Sequence, residues 1–453
     1  MIQNSDNITQ LIKQLLEIPK FGNGVGFPRM YNFFKKEPLN IWLSKIDAIK
    51  VTGSNGKGSV SKIISAILRE ANFKVGLYTS PHLFNFNERM AINNINIKDS
   101  ELQKSSEWVL KIIDQYQQKY PDDYYGAFEI FTAIALYYFA NYQVDTMVAE
   151  AGIGGRFDPT RMIPGNTATI TSLDLEHTQI LGDTLEMIAY DKSELCPTGG
   201  TLIIGNINTE IFRRLEAYCN LRRVQLISIQ NNCILSQPKY LAEGMIFDFQ
   251  YGDLKLDNLY IKLLGNYQIN NVAVAIVAAE CWLRKKLPNL KSSQLELIIR
   301  NALKNVSVAG RLQKVSSQPE IYVDVGHTPD AIEKLVESIE QLWNNEPILL
   351  VTGVSYNKDI QGILEKLVVI STQVICTRAW HRGSDVSIVV DCLTKIRPDL
   401  PLYSAETIEK AIQMAKEIAK QNQMKVLIAG GLFLVAEAIQ VLEGKNPQNI
   451  QFF

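Results

Sequence analysis

The sequence has little that points outward to a membrane, a nucleic acid or an oxidising compartment. Of its 453 residues, 46 are Lys or Arg and 47 are Asp or Glu, so no excess of either sign is available to hold a polyanion or an acidic surface. Cysteine is sparse. Cys196, Cys219, Cys233, Cys281, Cys376 and Cys392 are scattered without a Cys-x-x-Cys pair, which argues against a disulfide framework and a thiolate zinc site. The opening residues, MIQNSDNITQLIKQLLEIPK, lack the charged start and apolar core of a secretory signal. The most apolar helical stretch, NNVAVAIVAAECWL, is too short to span a bilayer and reads as a buried core helix. No internal repeat or low-complexity run is visible. The expectation is a cytoplasmic, reduced globular protein with small-molecule partners, no nucleic-acid or membrane partner, and a monomeric state.

What is present is a succession of apolar strands, glycine-containing turns and helix-length segments. Residues 51–60 read VTGSNGKGSV. A Walker A loop places its lysine directly before the hydroxyl residue, whereas here Gly58 separates Lys57 from Ser59. The flanks favour a nucleotide loop. IDAIKVTG ends in a short apolar, β-branched run, and SVSKIISAILREAN sets Val60, Ile63, Ile64, Ile67, Leu68 and Ala71 at i, i+3, i+4 spacing, one packing face of a helix. FKVGLYTS reads as the next strand and completes a βαβ unit. The loop's N–H groups then sit at a helix N-terminus, where an anion is favoured. A solvated glycine turn carrying an ordinary surface lysine is the competing reading of this window.

The alternation continues along the chain. DTMVAEAG, ATITSL and TLIIGN read as strands in the first two thirds, and IYVDVG, ILLVTGV, QVICTRA and KVLIAGG in the last third, a doubly wound α/β pattern. The helix QLELIIRNALKNV closes one unit, SVAGRLQKVSSQPE is polar and loop-like, and alternation restarts at Ile321. Two α/β domains, residues 1–305 and 306–453, are expected.

Only four histidines occur, and each lies at a strand end or in a polar turn: His82, His177, His327 and His381. Ligands in open α/β sheets bind beyond the carboxyl ends of the strands, so the histidines together point to one cleft. His381 alone reads equally well as a surface loop residue.

Ten strings follow one another over roughly residues 40 to 440: GSNGKGS, TSPHLFNFNERM, FEIFTAIALYYF, VAEAGIGGRFDPT, ITSLDLEHTQILGDTLEMIAYDKSEL, LLGNYQINNVAVA, AGRLQ, DVGHTPDA, NKDI and IAGGLFLVAEA. In this order they resemble the folylpolyglutamate synthase and dihydrofolate synthase family of the Mur ligase superfamily, whose phosphate loop also carries a glycine after its lysine. The resemblance implies a P-loop-containing Mur-ligase-type ATPase domain followed by a smaller Rossmann-like α/β domain. It implies a ligase that uses ATP and Mg2+: the nucleotide phosphorylates a folate or dihydropteroate carboxylate, and the amine of glutamate attacks the acyl phosphate. By the same resemblance Gly53, Asn55, Gly56, Lys57, Gly58 and Ser59 bind phosphate, Asn271 meets the adenine, and Arg311 and Asp324 reach the nucleotide from the second domain. Ser59, Ser80, Glu150 and His177 match its metal residues, and Lys57, Lys192 and His327 its catalytic ones, Lys192 at the place of a carbamylated lysine.

Competing readings stand beside several of these. Glu150 could bond Arg156, Lys192 could be a helix-surface lysine, and the family pair Lys358 and Asp359 could be a solvated turn. The string also departs from the family's pattern. DVGHT has Val325, Gly326 and Thr328 in place of the usual D-G-A-H-N residues, Tyr267 stands for a histidine, Gly431 for a small hydroxyl residue, and Ser193 and Glu194 for a small apolar pair. The N-terminal PKFGNGVGFPRM reads as a flexible glycine loop. A divergent ligase for another amino acid or acceptor therefore remains an alternative, and a P-loop kinase or a non-catalytic nucleotide-binding module is the reading from a different class.

Overall fold

The computed structural model describes residues 2–344 and 346–452. Eight strands form the first sheet: β1 (Ile49–Thr52), β2 (Val75–Tyr78), β3 (Met90–Ile92), β4 (Ile95–Asn96), β5 (Thr146–Glu150), β6 (Thr167–Ile170), β7 (Thr201–Ile204) and β8 (Gln225–Ser228). Their spatial order is β4-β3-β2-β5-β1-β6-β7-β8. The neighbours from β2 through β8 pair in parallel, and the β3–β4 hairpin is added antiparallel at one edge. Strands buried on both faces must be apolar throughout, and β1, β2, β5, β6 and β7 are buried at every position.

One face of this sheet packs on helix Lys57–Glu70, whose Val60, Ile63, Ile64, Ile67 and Leu68 are fully buried as their spacing predicts. Against that helix lies Tyr267–Lys286, which is apolar around most of its circumference and buried accordingly. The opposite face is covered by helices that include Ala127–Asn141. A second, antiparallel sheet, which the sequence reading does not anticipate, consists of β9 (Cys233–Leu235), β10 (Lys239–Leu241), β11 (Gly244–Tyr251) and β12 (Leu254–Ile261). Met245, Phe247 and Phe249 alternate along β11 and, with Leu254, Leu256, Leu259 and Ile261 of β12, join the core around helix Tyr267–Lys286, a period-2 signal.

After helix Ser292–Lys304 the chain enters a third sheet of β13 (Gln313–Ser317), β14 (Glu320–Asp324), β15 (Ile348–Thr352), β16 (Gln373–Cys376), β17 (Leu402–Ser404) and β18 (Lys425–Ala429). The order is β13-β14-β18-β15-β16-β17, with only β13 antiparallel to its neighbour. Among the described residues, no helix is long and apolar enough to cross a membrane.

Candidate functional site

The loop after β1 turns directly into the N-terminus of helix Lys57–Glu70. Gly56 caps helix Lys57–Glu70 at φ 84°, in the left-handed region that glycine enters at no steric cost, and a Cβ there would collide with Asn271 Oδ1. The loop is stitched to the end of β6: the Ser54 N–H donates to Ser172 O at 3.0 Å, the Asn55 N–H to Ser172 Oγ at 2.9 Å, and the Thr171 hydroxyl to Asn55 O. Lys57 Nζ folds back onto the loop, donating to Gly53 O at 2.6 Å and Ser54 O at 3.0 Å. These are contacts a phosphate could replace with a stronger charge-assisted pair.

Gly58 sits between the loop and the end of β5, where a Cβ would lie 3.8 Å from Glu150 Oε2, an ordinary contact that does not by itself require glycine. Glu150 lies in that space, fully buried, and accepts the Ser80 N–H at 3.2 Å rather than bonding Arg156. Burial raises its carboxyl to about 7, opposed by the Lys57 charge. Beside it the Ser59 hydroxyl is buried with no hydrogen-bond partner among the described residues. A carboxylate and an orphaned hydroxyl fit Mg2+, which takes one or two protein oxygens and completes its shell with water and phosphate. Among the described residues no group of three His, Cys, Asp or Glu side chains converges as a complete metal cage, so these residues would hold the ion together with a nucleotide.

A cavity of about 290 Å³ continues from the loop, and both sheet systems wall it. Asn55, Gly56, Ser59, Asn271, Arg311 and Asp324 all line it, so six of the residues singled out in the sequence meet in one place. Asp324, at the end of β14, is buried and accepts the Gly326 N–H at 2.7 Å and the Leu312 N–H at 2.9 Å. Its third donor is the Tyr267 hydroxyl, 2.9 Å away on helix Tyr267–Lys286. Burial and the Asp324 charge keep that phenol protonated and donating. His327 follows, its Nδ1 3.2 Å from Val325 O. Burial and the nearby Lys358 charge lower it to about 4, so the imidazole is neutral at pH 7.

Lys192 is no surface lysine. It is 1% exposed, its Nζ lies 2.9 Å from Glu176 Oε1, and burial pushes the amine below its usual range. Burial alone would raise the Glu176 carboxyl, but Lys57 and Lys192 outweigh it and hold it at about 2. Glu176 was legible only as a neighbour of His177, which is exposed and takes φ 47° at the start of the short helix Thr178–Leu181. Asn206 and Lys334, also on the cavity wall, carried no sequence signal.

Two expectations need correction. The histidines do not share one cleft: His82 is 2% exposed, accepts the Arg89 Nε–H at 2.9 Å on Nδ1 and contacts Gln451 O through Nε2. His381 is paired with Glu437 at 2.8 Å and stacks edge-on against Phe452. The N-terminal glycine segment is also tethered rather than free. The buried Arg29 guanidinium donates to Asn23 O at 2.6 Å and to both Glu129 oxygens at 2.8 and 2.9 Å, and it pairs with Asp123.

Burial and the Arg89 charge push His82 down to about 3. The unfolded chain therefore binds a proton that the folded one refuses between pH 6.5 and 3. Stability from this group is complete above pH 6.5 and falls by up to about 1.4 kcal/mol per pH unit below it. Urea midpoints of His82→Gln should accordingly fall less steeply than those of the parent between pH 6.5 and 5.

A Mur ligase middle domain matches residues 51–279 and a Mur ligase glutamate ligase domain residues 310–432. Over 352 residues the chain is 32% identical to the dihydrofolate synthase/folylpolyglutamate synthase of Bacillus subtilis (strain 168), covering 77% of this chain and 80% of that one. The chain belongs to the folylpolyglutamate synthase/dihydrofolate synthase family. Members of this family are ATP-dependent glutamate ligases. The folylpolyglutamate synthase of Thermotoga maritima is 28% identical, with a TM-score of 0.83 over 98% of this chain and 99% of that one. A complex of folylpolyglutamate synthase with AMPPCP and folate is 26% identical, with a TM-score of 0.79 over 96% and 99%.

The departures from the family's pattern acquire local reasons. Thr328 caps helix Pro329–Trp343 by accepting the Ala331 N–H at 3.3 Å. Glu194 turns away from Lys192 into pairs with Arg161 and Arg222 and a bond from the Tyr218 hydroxyl. Asp359, of the family's Lys-Asp pair, accepts the Gly362 N–H at 2.9 Å as a helix cap, while Lys358 is exposed. Gly431 leaves open space, with Ser355 Oγ 3.9 Å from where its Cβ would be.

Proposed function

We propose that the chain is an ATP-dependent amide ligase that joins L-glutamate to the carboxylate of a folate or dihydropteroate through an acyl phosphate. The observation that carries this reading is the single cavity walled by the glycine loop on one side and by Arg311 and Asp324 on the other. A kinase needs the loop, but it has no use for the second wall. In this reading the loop N–H groups and Lys57 hold the phosphates, Asn271 borders the adenine, and Arg311 and Asp324 close on the nucleotide from the far side. Lys57, already within reach of two loop carbonyls, neutralises charge on the phosphoryl group in transfer. His327, neutral at pH 7 for the reasons given, is available to accept a proton from the attacking amine, and Lys192 acts near the reacting carboxylate. Bound Mg2+ would supply further charge neutralisation, with Ser59 and Glu150 as its protein oxygens and Ser80 and His177 as outer or second-ion contacts.

The same reading takes residues 1–305 as the ATPase domain and 306–453 as the ligase domain, and the protein as a cytoplasmic monomer. The absence of any disulfide among its six cysteines accords with a reducing compartment.

The experiment is incubation of the purified protein with ATP, labelled glutamate and each pteroate in turn. ADP release is expected only when carboxylate and amine are both present, in step with amide formation. A stable phosphorylated product that accumulates undiminished with amino acids present would overturn the ligase reading in favour of a kinase. Hydrolysis with no amide under any pairing would leave only a nucleotide-binding module.

A further inference from the structure

At the opposite end of the first sheet from the glycine loop lies a larger cavity of about 550 Å³, lined by Lys45, Asp47, Lys50, Arg161, Lys286 and the turn Ile163–Asn166, among others. Nothing in the ligase chemistry uses it. Four cations face one carboxylate there. Two of the cations are answered: Lys286 pairs with Asp47 at 3.0 Å, and Arg161 with Glu194 at 2.5 Å. Lys45 and Lys50 have no hydrogen-bond or ion-pair partner among the described residues.

Lys50 is the unusual one. It sits in β1, at the middle of a parallel sheet, and is only 1% exposed. Its neighbours in register are Ala149 on β5 and Ala168 on β6, the smallest side chains that could flank a lysine stem. Ile49 and Val51 point to the core on one face. Lys50 therefore points to the other, where Ala149 belongs to one apolar cluster and Ala168 to a second. Its stem runs along the seam between them to the cavity. An unpaired buried ammonium is costly, and a sheet position of this kind is ordinarily filled by Val or Ile. Burial draws the Lys50 amine down to about 8, so it still carries its charge near neutral pH.

We propose that this cavity is a second anion site, taking a compact organic polyanion with two or more carboxylate or phosphate groups. One anionic group would meet Lys50 at the floor and another Lys45 at the rim. Met162 and Pro164, with Pro197 across from them, offer an apolar wall for the carbon skeleton. The site is separate from the glycine loop, so it stands whether or not the ligase reading does.

Calorimetric titration with citrate and with inorganic pyrophosphate tests it, using the full chain in metal-free buffer with the nucleotide cleft held full by ADP. Binding of either probe is expected, and which of them binds distinguishes carboxylate from phosphate recognition. Lys50→Met keeps the stem and removes the charge; it should weaken binding by about ten- to a hundredfold, the loss of one charge-assisted hydrogen bond, with ADP affinity unchanged. The rim variant Lys45→Ser should weaken it less and rise in effect at low salt. Should Lys50→Met fail to fold, Lys45→Ser together with Lys286→Ser carries the test at the surface. No heat with either probe at millimolar concentration, or isotherms that the variants leave unmoved, would overturn the proposal.

Discussion

Glu150→Gln is expected to lower turnover by about three orders of magnitude while leaving the protein folded. The amide has the shape of the carboxylate and can still accept the Ser80 N–H, so the end of β5 has no reason to move. What disappears is the negative charge beside the orphaned Ser59 hydroxyl. The charge stabilisation that a bound metal brings to phosphoryl transfer is several kcal/mol, and about 4 kcal/mol corresponds to a thousandfold. Added Mg2+ should recover part of the loss. Stability should move the other way. Burial raises the Glu150 carboxyl to about 7, above its unfolded value near 4.5, so in the metal-free protein this group favours folding fully below pH 4.5 and loses that contribution as pH rises through 7. Metal-free Glu150→Gln should therefore resist urea better than the parent at pH 8 and no better at pH 4.5. A variant that is both inactive and less stable at pH 8 would mark Glu150 as a structural carboxylate instead.

Lys192→Ala is expected to be nearly as damaging to ligation and nearly silent in nucleotide binding at Lys57. The amine is buried, and its lowered pKa makes more accessible the neutral form, whose lone pair attacks carbon dioxide and which then loses a proton to give the carbamate. A carbamate there would place an anion where the structure holds a cation against Glu176. Two opposite charges about 4 Å apart interact by roughly 4 kcal/mol at an effective dielectric of 20, which sets the expected loss at about a thousandfold. Chemical rescue separates the two states. Acetate diffusing into the vacated space should restore part of the activity if the working group is a carbamate, and methylammonium should do so if it is the ammonium seen paired with Glu176. Rescue by methylammonium alone, or near-normal turnover without any addition, would remove the carbamate from the mechanism.

The glycine loop, the helix after it and the alternation of buried strands were legible because each is a local pattern. A parallel strand buried on both faces leaves an unbroken apolar run, and a helix covering it leaves 3.6-residue spacing. Asn55, Gly56, Ser59, Asn271, Arg311 and Asp324 were legible as strings, and their convergence on one cavity is the added fact. The antiparallel β9–β12 sheet was not anticipated: β9 and β10 are three residues each and partly exposed, and the alternation along β11 and β12 is interrupted by a register shift between Phe247 and Phe249. Burial at a distance was also hidden. Nothing near Lys192 in sequence announces that it is enclosed, and nothing in TSPHL reveals that His82 would be enclosed against Arg89 and Gln451. The cation beneath β1 was hidden for a related reason, because a lysine inside an apolar run reads as an interruption of the pattern, and only the register shows the two alanines beside it.

The bond from Tyr267 to Asp324 joins a helix of the first sheet system to a strand end of the third. Among the described residues Asp324 has only two other donors, both backbone, so neither side chain can change without altering what the other needs. Substitutions at the two positions should be strongly non-additive: Tyr267→Phe leaves a buried carboxylate short of a donor, and Asp324→Asn offers the phenol a weaker acceptor, while the double change removes much of the mismatch that each creates alone. Because the bond spans two sheet systems at the cavity wall, the pair behaves as one latch between them rather than as two independent residues.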